Sequence, residues 1–265
     1  MGCTLVPNNT WPTAPLTTPI IGLKELPVST EPLGHDHIHF AHCYKHQKGW
    51  NTFLNRFYEG KGALYDLEFL QDDSGRRVAA FGFHAGFAGA AAGALAFAAL
   101  REGKTLGELK PFSEEKNMVS AVKAKLDGHK GVKALVIGAL GRCGRGAVEL
   151  FRKVGLDEYV SCDTTPILTY CSSNSSNIIQ WDLDETAKGG PFDEILDVDI
   201  FINCIYLSSK IPPFLTVSQI QKAGQTRRLS VIIDVSCDTT NPYNPIPIYS
   251  VNTTFDRPTV SVDVG

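Results

Sequence analysis

The sequence predicts an α/β protein built on parallel sheet. Three observations carry that prediction. Its apolar runs are short, continuous and β-branched, which is how strands read when helices cover both faces. Helical segments alternate with them. One run passes through a glycine turn straight into a helix, in VKALVIGALGRCGRGAVELFRKVG at 132–155.

The elements follow in order. TPIIGL (18–23) reads as a short buried strand ending at Lys24 and Glu25, and HIHFAHC (37–43) as a second. YKHQKGWNTFLNRFYEG (44–60) places Trp50, Phe53, Leu54 and Phe57 on one helical face. ALYDLEFL (63–70) alternates like a strand, and QDDSG (71–75) is a turn. AAFGFHAGFAGAAAGALAFAAL (79–100) is a helix of small residues flanked by Arg76, Arg77 and Arg101. Its glycines and His84 favour close packing inside a protein over a membrane span. Residues 102–130 are charged, with helix in the second half. After the glycine turn, NIIQWDLDET (177–186), DVDIFINCIYL (197–207) and RRLSVIIDVS (227–236) supply three more strands. EYVSCDTTPILTYCSSNSS (158–176) is polar, fits neither period, and reads as a surface loop or insertion.

Bulk properties narrow the function classes. The chain has 265 residues, 43% hydrophobic and 20% charged, with a net charge of −3. That excludes a general polyanion-binding surface and fits one large or two modest domains. Seven cysteines stand at irregular spacings with no CxxC. Neither a secreted disulfide scaffold nor a structural zinc site reads that way, and a reducing compartment is expected. MGCTLVPNNTWPTAP lacks the basic start and apolar core of a signal peptide.

The strongest chemical motif is VIGALGRCGRGA (136–147), with Gly138, Gly141 and Gly144 spaced GxxGxxG. Glycines let the backbone approach a pyrophosphate, and the helix that follows offers free N–H groups and a positive dipole end. The fingerprint also needs an acid at the end of the next strand to hold ribose hydroxyls. Asp182 meets that requirement, and an acid there favours NAD over NADP. It lies further from the glycines than the usual roughly 20 residues, and the 158–176 segment accounts for the excess. A glycine turn in a non-binding α/β domain is the competing reading.

Candidate proton-transfer groups come from two places. Lys24 and Glu25 are either an exposed charge pair or a lysine held in a cleft, where positive neighbours lower its pKa into a useful range. Five of the seven histidines crowd into GHDHIHFAHCYKHQKGW (34–50). Alternation puts His35, His37 and His39 on one strand face, and a three-histidine metal site there lacks an evident fourth ligand. Solvent exposure is expected for His35 and His46, while His42 is expected to be the most buried. Arg76 and Arg77 are either solvated or hold carboxylates by bidentate geometry.

These residues sit in longer motifs. IIGLKELP (20–27), HDHIHFAHCYK (35–45), LYDLEFLQDDSGRRVAAFGFHAGFAGAA (64–91), IGALGRCGRGA (137–147), GGPFDEI (189–195), FINCIYLS (201–208) and DVSCDTTNPYNPIPIY (234–249) closely resemble the fungal saccharopine dehydrogenases (NAD, L-lysine-forming). That family belongs to the alanine dehydrogenase-like superfamily. The resemblance covers nearly the whole chain except 158–176 and a divergent 92–130.

The resemblance implies two Rossmann-like domains with a cleft between them, the first incomplete. Residues 1–80 would be a partial substrate-binding domain. Residues 81–265 would be the NAD-binding domain, including a linking helical stretch over 81–130. The implied reaction converts saccharopine, NAD and water to lysine, 2-oxoglutarate and NADH, as the final step of lysine formation by the α-aminoadipate route. The alternatives are another amino-acid dehydrogenase of the alanine dehydrogenase type, or an inactive NAD-binding fragment. Lys24 and His42 would be the acid–base pair, tuned by Glu25 and Glu68. Lys24, Gln47, Arg77, Phe81, Ser236, Cys237 and Asp238 would line the saccharopine site. Arg76, Gly141, Arg142, Asp182, Thr186, Tyr206 and Val235 would contact NAD. No metal, nucleic acid or membrane is implied, and a monomer is expected. Cytoplasm is the default location, with peroxisome the alternative where a longer C-terminus carries a signal. Against the family the chain looks truncated at both ends, with an insertion near 158–176, so low stability and weak activity are expected of it.

Overall fold

Residues that alternate between two apolar faces make a strand that must be covered twice, and the larger of two compact units is built on such strands. A computed structural model describes residues 2–23, 26–41, 43, 49–75, 77–156, 177–207, 209–236, 239 and 241–264. The chain divides into units Met1–Ala80 and Phe81–Gly265.

The first unit holds a three-stranded parallel sheet in the order β1 (Ile20–Ile21), β2 (His37–His39), β3 (Leu64–Asp66). Helix α1 (Trp50–Gly60) connects β2 to β3 after Gly49, whose φ of 89° suits glycine. The expected strands over 37–43 and 63–70 both end early, and Asp66 is the reason. Its carboxylate accepts from the backbone N–H of Ala41 (3.2 Å) and Cys43 (3.1 Å), drawing the chain out of the ladder after β2. It also accepts from Glu68 N–H at 3.0 Å, starting a 3-10 turn over Leu67–Phe69 where strand was expected. Side-chain bonds to backbone N–H groups, local as at Glu68 or distant as at Ala41 and Cys43, compete with ladder pairing.

The second unit opens with α2 (Gly82–Arg101) and α3 (Glu115–Leu126), then alternates β4 (Ala134–Ile137), α4 (Arg142–Lys153), β5 (Ile178–Trp181), a single turn α5 (Leu183–Thr186), β6 (Ile200–Asn203), α6 (Val217–Ala223) and β7 (Val231–Asp234). The sheet is parallel in the order β5-β4-β6-β7. Alternation along β4 sends Ala134 and Val136 to one core, with α2, α3 and α4, and Leu135 and Ile137 to the other. Along β6, Ile200 and Ile202 join the first core and Phe201 the second. These are the double-faced strands that the continuous apolar runs predict.

The small residues of α2 serve one crossing. A Cβ on Gly86 would lie 1.9 Å from Cys143 O, and one on Gly146 would lie 1.9 Å from Phe83 O. Only glycine at both positions lets α2 and α4 touch backbone to backbone. α2 is long and apolar enough to cross a membrane by length and composition, and half of that stretch is buried within the unit. The other end of the sheet is tied by Asp199, 2% exposed, which accepts from Lys133 N–H (2.9 Å), Arg101 Nη2 (3.2 Å) and the Arg228 guanidinium.

Candidate functional site

Strand order reverses between β4 and β6, and the carboxyl edge of the sheet at such a point is where open α/β sheets bind ligands. The chain leaves β4 through Gly138, at φ +81°, and enters α4 at Gly141, whose N–H donates to Gly138 O at 3.1 Å. Gly141 is the N-cap of α4 and supplies no side-chain cap to its N–H groups. A Cβ at Gly144 would meet Gly138 O at 2.1 Å and Ala139 Cα at 2.6 Å. The turn is thus a cradle that side chains would fill, with amides at its mouth.

Asp182 lies at the end of β5, beside that mouth. Its Oδ2 accepts from Leu140 N–H at 3.0 Å, and its Oδ1 accepts from Leu183 N–H at 2.9 Å. Glu185 Oε2 accepts from Asp182 N–H at 2.7 Å, so the two acids form a reciprocal cap on α5. Thr186 closes the group by donating its hydroxyl to Asp182 O at 2.8 Å. Gly141, Arg142, Asp182 and Thr186 are therefore gathered at one turn. Tyr206 follows β6, and Val235 and Ser236 follow β7, on the same carboxyl edge. Phe81 stands just before α2, half exposed.

In the first unit Arg77 Nη2 lies 3.1 Å from Glu68 Oε2, and the Glu68 side chain is buried. Lys24, Glu25, His42, Gln47, Arg76, Cys237 and Asp238 lie outside the described residues, as does the 158–176 segment.

The histidine cluster corrects one expectation. His35 is buried rather than solvent-facing, at 4% exposed, and its Nε2 donates to Ala14 O at 3.0 Å. His37 and His39 are buried as well. The cause is a ring stack: Trp11 meets His37 at 5.0 Å and His35 at 6.1 Å, while α1 brings Phe57 to His37 (5.4 Å) and Phe53 to His39 (5.8 Å). Burial, with smaller contributions from neighbouring cationic groups, lowers the His37 pKa to about 4. No group of three or more His, Cys, Asp or Glu among the described residues could hold a metal ion.

Two features of the edge escape the sequence reading. Cys143, in the first turn of α4, and Cys204, just past β6, are hydrogen-bonded thiols. That bond lowers the Cys143 pKa, and the same bond and burial push Cys204 well up. Asn203, fully buried at the end of β6, is the second. A polar residue closing an apolar strand in IFIN is the signal that could have found it.

The glycine cradle, the uncapped helix start and the acid at the end of β5 define a dinucleotide-binding α/β protein, and these residues fit NAD. No family model matches the chain. Among curated proteins, the saccharopine dehydrogenase [NAD(+), L-lysine-forming] of Yarrowia lipolytica is 53% identical over 271 residues, covering 99% of this chain and 68% of its own length. The enzymes of the same name from Emericella nidulans and Schizosaccharomyces pombe are 52% and 51% identical, each again with 99% of this chain and 68% of the relative covered. The chain belongs to the family of NAD-dependent, lysine-forming saccharopine dehydrogenases, and spans about two thirds of the length of these relatives. Among solved structures an L-alanine dehydrogenase superposes with a TM-score of 0.43 at 13% identity, covering 82% of this chain and 55% of that one, too weak a likeness to bear on function.

Proposed function

We propose that this chain is an NAD-dependent oxidoreductase acting on a CH–NH bond, which converts saccharopine and water to L-lysine and 2-oxoglutarate in the last step of lysine biosynthesis. The observation that carries this reading is identity near 50% to lysine-forming enzymes over 99% of the chain. We further propose that residues 1–80 are a partial substrate domain and 81–265 the NAD domain, both Rossmann-like, with the reaction in a cleft between them.

NAD is held at the glycine turn by the amides around Gly141, by Arg142 and Arg76, by Asp182 and Thr186 at the ribose, and by Tyr206 and Val235 on the neighbouring loops. When bound, NAD supplies the hydride acceptor. The remaining chemistry falls to the protein. Lysine leaves with its amine intact, so the hydride departs from the glutaryl carbon of saccharopine. It can leave only once the secondary ammonium has lost its proton. The resulting imine then needs water activated for attack, and the lysine nitrogen needs a proton to depart. Lys24 and His42 are the two groups for these transfers, since a lysine of lowered pKa and a histidine near about 6.5 both exchange protons near neutrality. Glu25 and Glu68 tune them. Gln47, Phe81, Ser236, Cys237, Asp238 and Arg77 line the substrate site. A guanidinium carries five N–H donors, enough to serve Glu68 and a substrate carboxylate together.

The test is a substrate panel read by NADH oxidation. Lysine plus 2-oxoglutarate should support turnover, and pyruvate plus ammonia should not; the reverse pattern would make the chain an alanine dehydrogenase. In an active form, Lys24→Met and His42→Gln should each lower kcat by about 10²-fold or more while NADH binding stays near the parent value.

A further inference from the structure

Asn203 and Asp234 are register partners, the last residues of β6 and β7. Past each of them the chain turns into a loop on the carboxyl edge of the sheet. We propose that Asp234 is a positioning residue of the reaction, holding the loop after β6 and the loop after β7 in one fixed register. The proposal rests on the reading above, in which Tyr206 and Val235 contact NAD and Ser236 contacts substrate.

Four donors converge on the one carboxylate. Oδ1 accepts from Asn203 Nδ2 at 3.0 Å, from Ser236 N–H at 3.2 Å and from the Ser236 hydroxyl at 2.6 Å. Oδ2 accepts from the Tyr249 hydroxyl at 2.5 Å. Asn203 carries the link to the other loop. Its Nδ2 also donates to Ile205 O at 3.0 Å, and its Oδ1 accepts from Ile205 N–H at 3.2 Å. Both hydrogens and an oxygen of the buried amide are thereby committed. Asn203 O further accepts from Val235 N–H at 3.0 Å, and Asn241 Nδ2 donates to Leu207 O at 3.0 Å.

A negatively charged oxygen that accepts from several donors holds them more firmly than a neutral one. The arrangement also fixes the sense of Ser236. Its hydroxyl hydrogen is spent on Asp234, so toward a ligand it offers lone pairs. It suits an ammonium or amide N–H of the ligand rather than a carboxylate. Asparagine at 234 keeps the shape but turns an NH2 toward donors, which breaks part of the cluster.

The experiment compares Asp234→Asn, Tyr249→Phe, Ser236→Ala and the double variant Asp234→Asn/Ser236→Ala in the full chain. Each is measured for NADH dissociation by fluorescence, for KM and kcat with lysine and 2-oxoglutarate, and for thermal unfolding. Asp234→Asn should raise both the NADH Kd and the lysine KM about tenfold, the size expected for losing a charge-assisted hydrogen bond. Ser236→Ala should raise lysine KM in the parent but add little once Asp234 is gone. Unchanged Kd and KM with only a lower Tm would overturn the proposal, as would additive effects in the double variant. Where Asp234→Asn does not fold, Tyr249→Phe removes a single donor, and a lysine KM and NADH Kd equal to the parent's would equally overturn it. A parent that binds NADH without lysine-dependent turnover refutes the enzymatic reading alone; the NADH arm then decides for or against Asp234 by itself.

Discussion

Replacing Gly144 by alanine tests the cradle most sharply. The added Cβ would sit 2.1 Å from Gly138 O, 2.6 Å from Ala139 Cα and 2.7 Å from Gly138 C. All three are backbone atoms, so no side chain can swing aside. Relief to ordinary contact needs α4 and the turn to separate by about 1 Å, and overpacking of this kind costs roughly 1–3 kcal/mol. For a chain of this size that is a Tm loss of about 2–12 °C. The same displacement moves the Gly141 amides off the pyrophosphate, and a misplacement near 1 Å is worth up to about 10²-fold. Gly146→Ala is the control. Its Cβ would lie 1.9 Å from Phe83 O, on the face toward α2 and away from the turn. It should lower Tm at least as much, yet raise NADH Kd far less. The assay is NADH fluorescence titration beside a thermal melt on both variants. Equal effects on Kd, or a Gly144→Ala chain that binds NADH like the parent, would show that the cradle does not hold the pyrophosphate.

Three further outcomes are expected. Asp182→Ala should weaken NADH about 10- to 30-fold, because ribose contacts and the Leu140 N–H bond disappear together; isothermal titration checks it, and an unchanged Kd would remove Asp182 from the site. Below the ordinary histidine value of 6.5 the unfolded chain takes up a proton that buried His37, held at about 4, refuses. Stability should therefore fall by about 1.4 kcal/mol per pH unit from that group, ~3 kcal/mol in all by pH 4. His37→Phe, which suits the ring stack, should flatten that part of the urea-midpoint profile, and a slope as steep as the parent's would contradict the assignment. Asp199→Ala should cost about 1–3 kcal/mol, because Lys133 N–H loses its acceptor while the half-exposed Arg101 and Arg228 can turn to solvent, read as a fall in Tm, with a loss under about 0.5 kcal/mol counting against it.

The parallel sheet of the second unit is legible because its central strands β4 and β6 are buried on both faces, so ALVI and IFI read as continuous apolar runs. The glycine cradle is legible because it needs glycine twice, for the positive φ at Gly138 and for the backbone that a Cβ at Gly144 would strike. Strand ends in the first unit are not, because a single carboxylate, Asp66, ends two of them, one through bonds to Ala41 and Cys43 distant in sequence and one through Glu68 N–H two residues on. The burial of His35 is hidden from the sequence for a similar reason. Nothing in HDHIHF shows that Trp11 folds back over the imidazoles, and a polar residue type suggested solvent. The Asn203–Asp234 pair is not legible in sequence, because each residue simply ends an apolar run and the pairing exists only once β6 and β7 lie in register. The acid–base roles come from family resemblance; the residues alone leave Lys24 open between an exposed charge pair and a cleft lysine, and mark His42 only as the histidine expected to be most buried.

In the proposed reaction the hydride leaves the glutaryl carbon of saccharopine and lysine is released. Saccharopine deuterated at that carbon, incubated with NAD and the chain, tests it in one mass-spectrometric measurement. NADH should carry one deuterium, with lysine formed in equal amount. Unlabelled NADH, accompanied by glutamate and an aldehyde from the lysine arm, would contradict it.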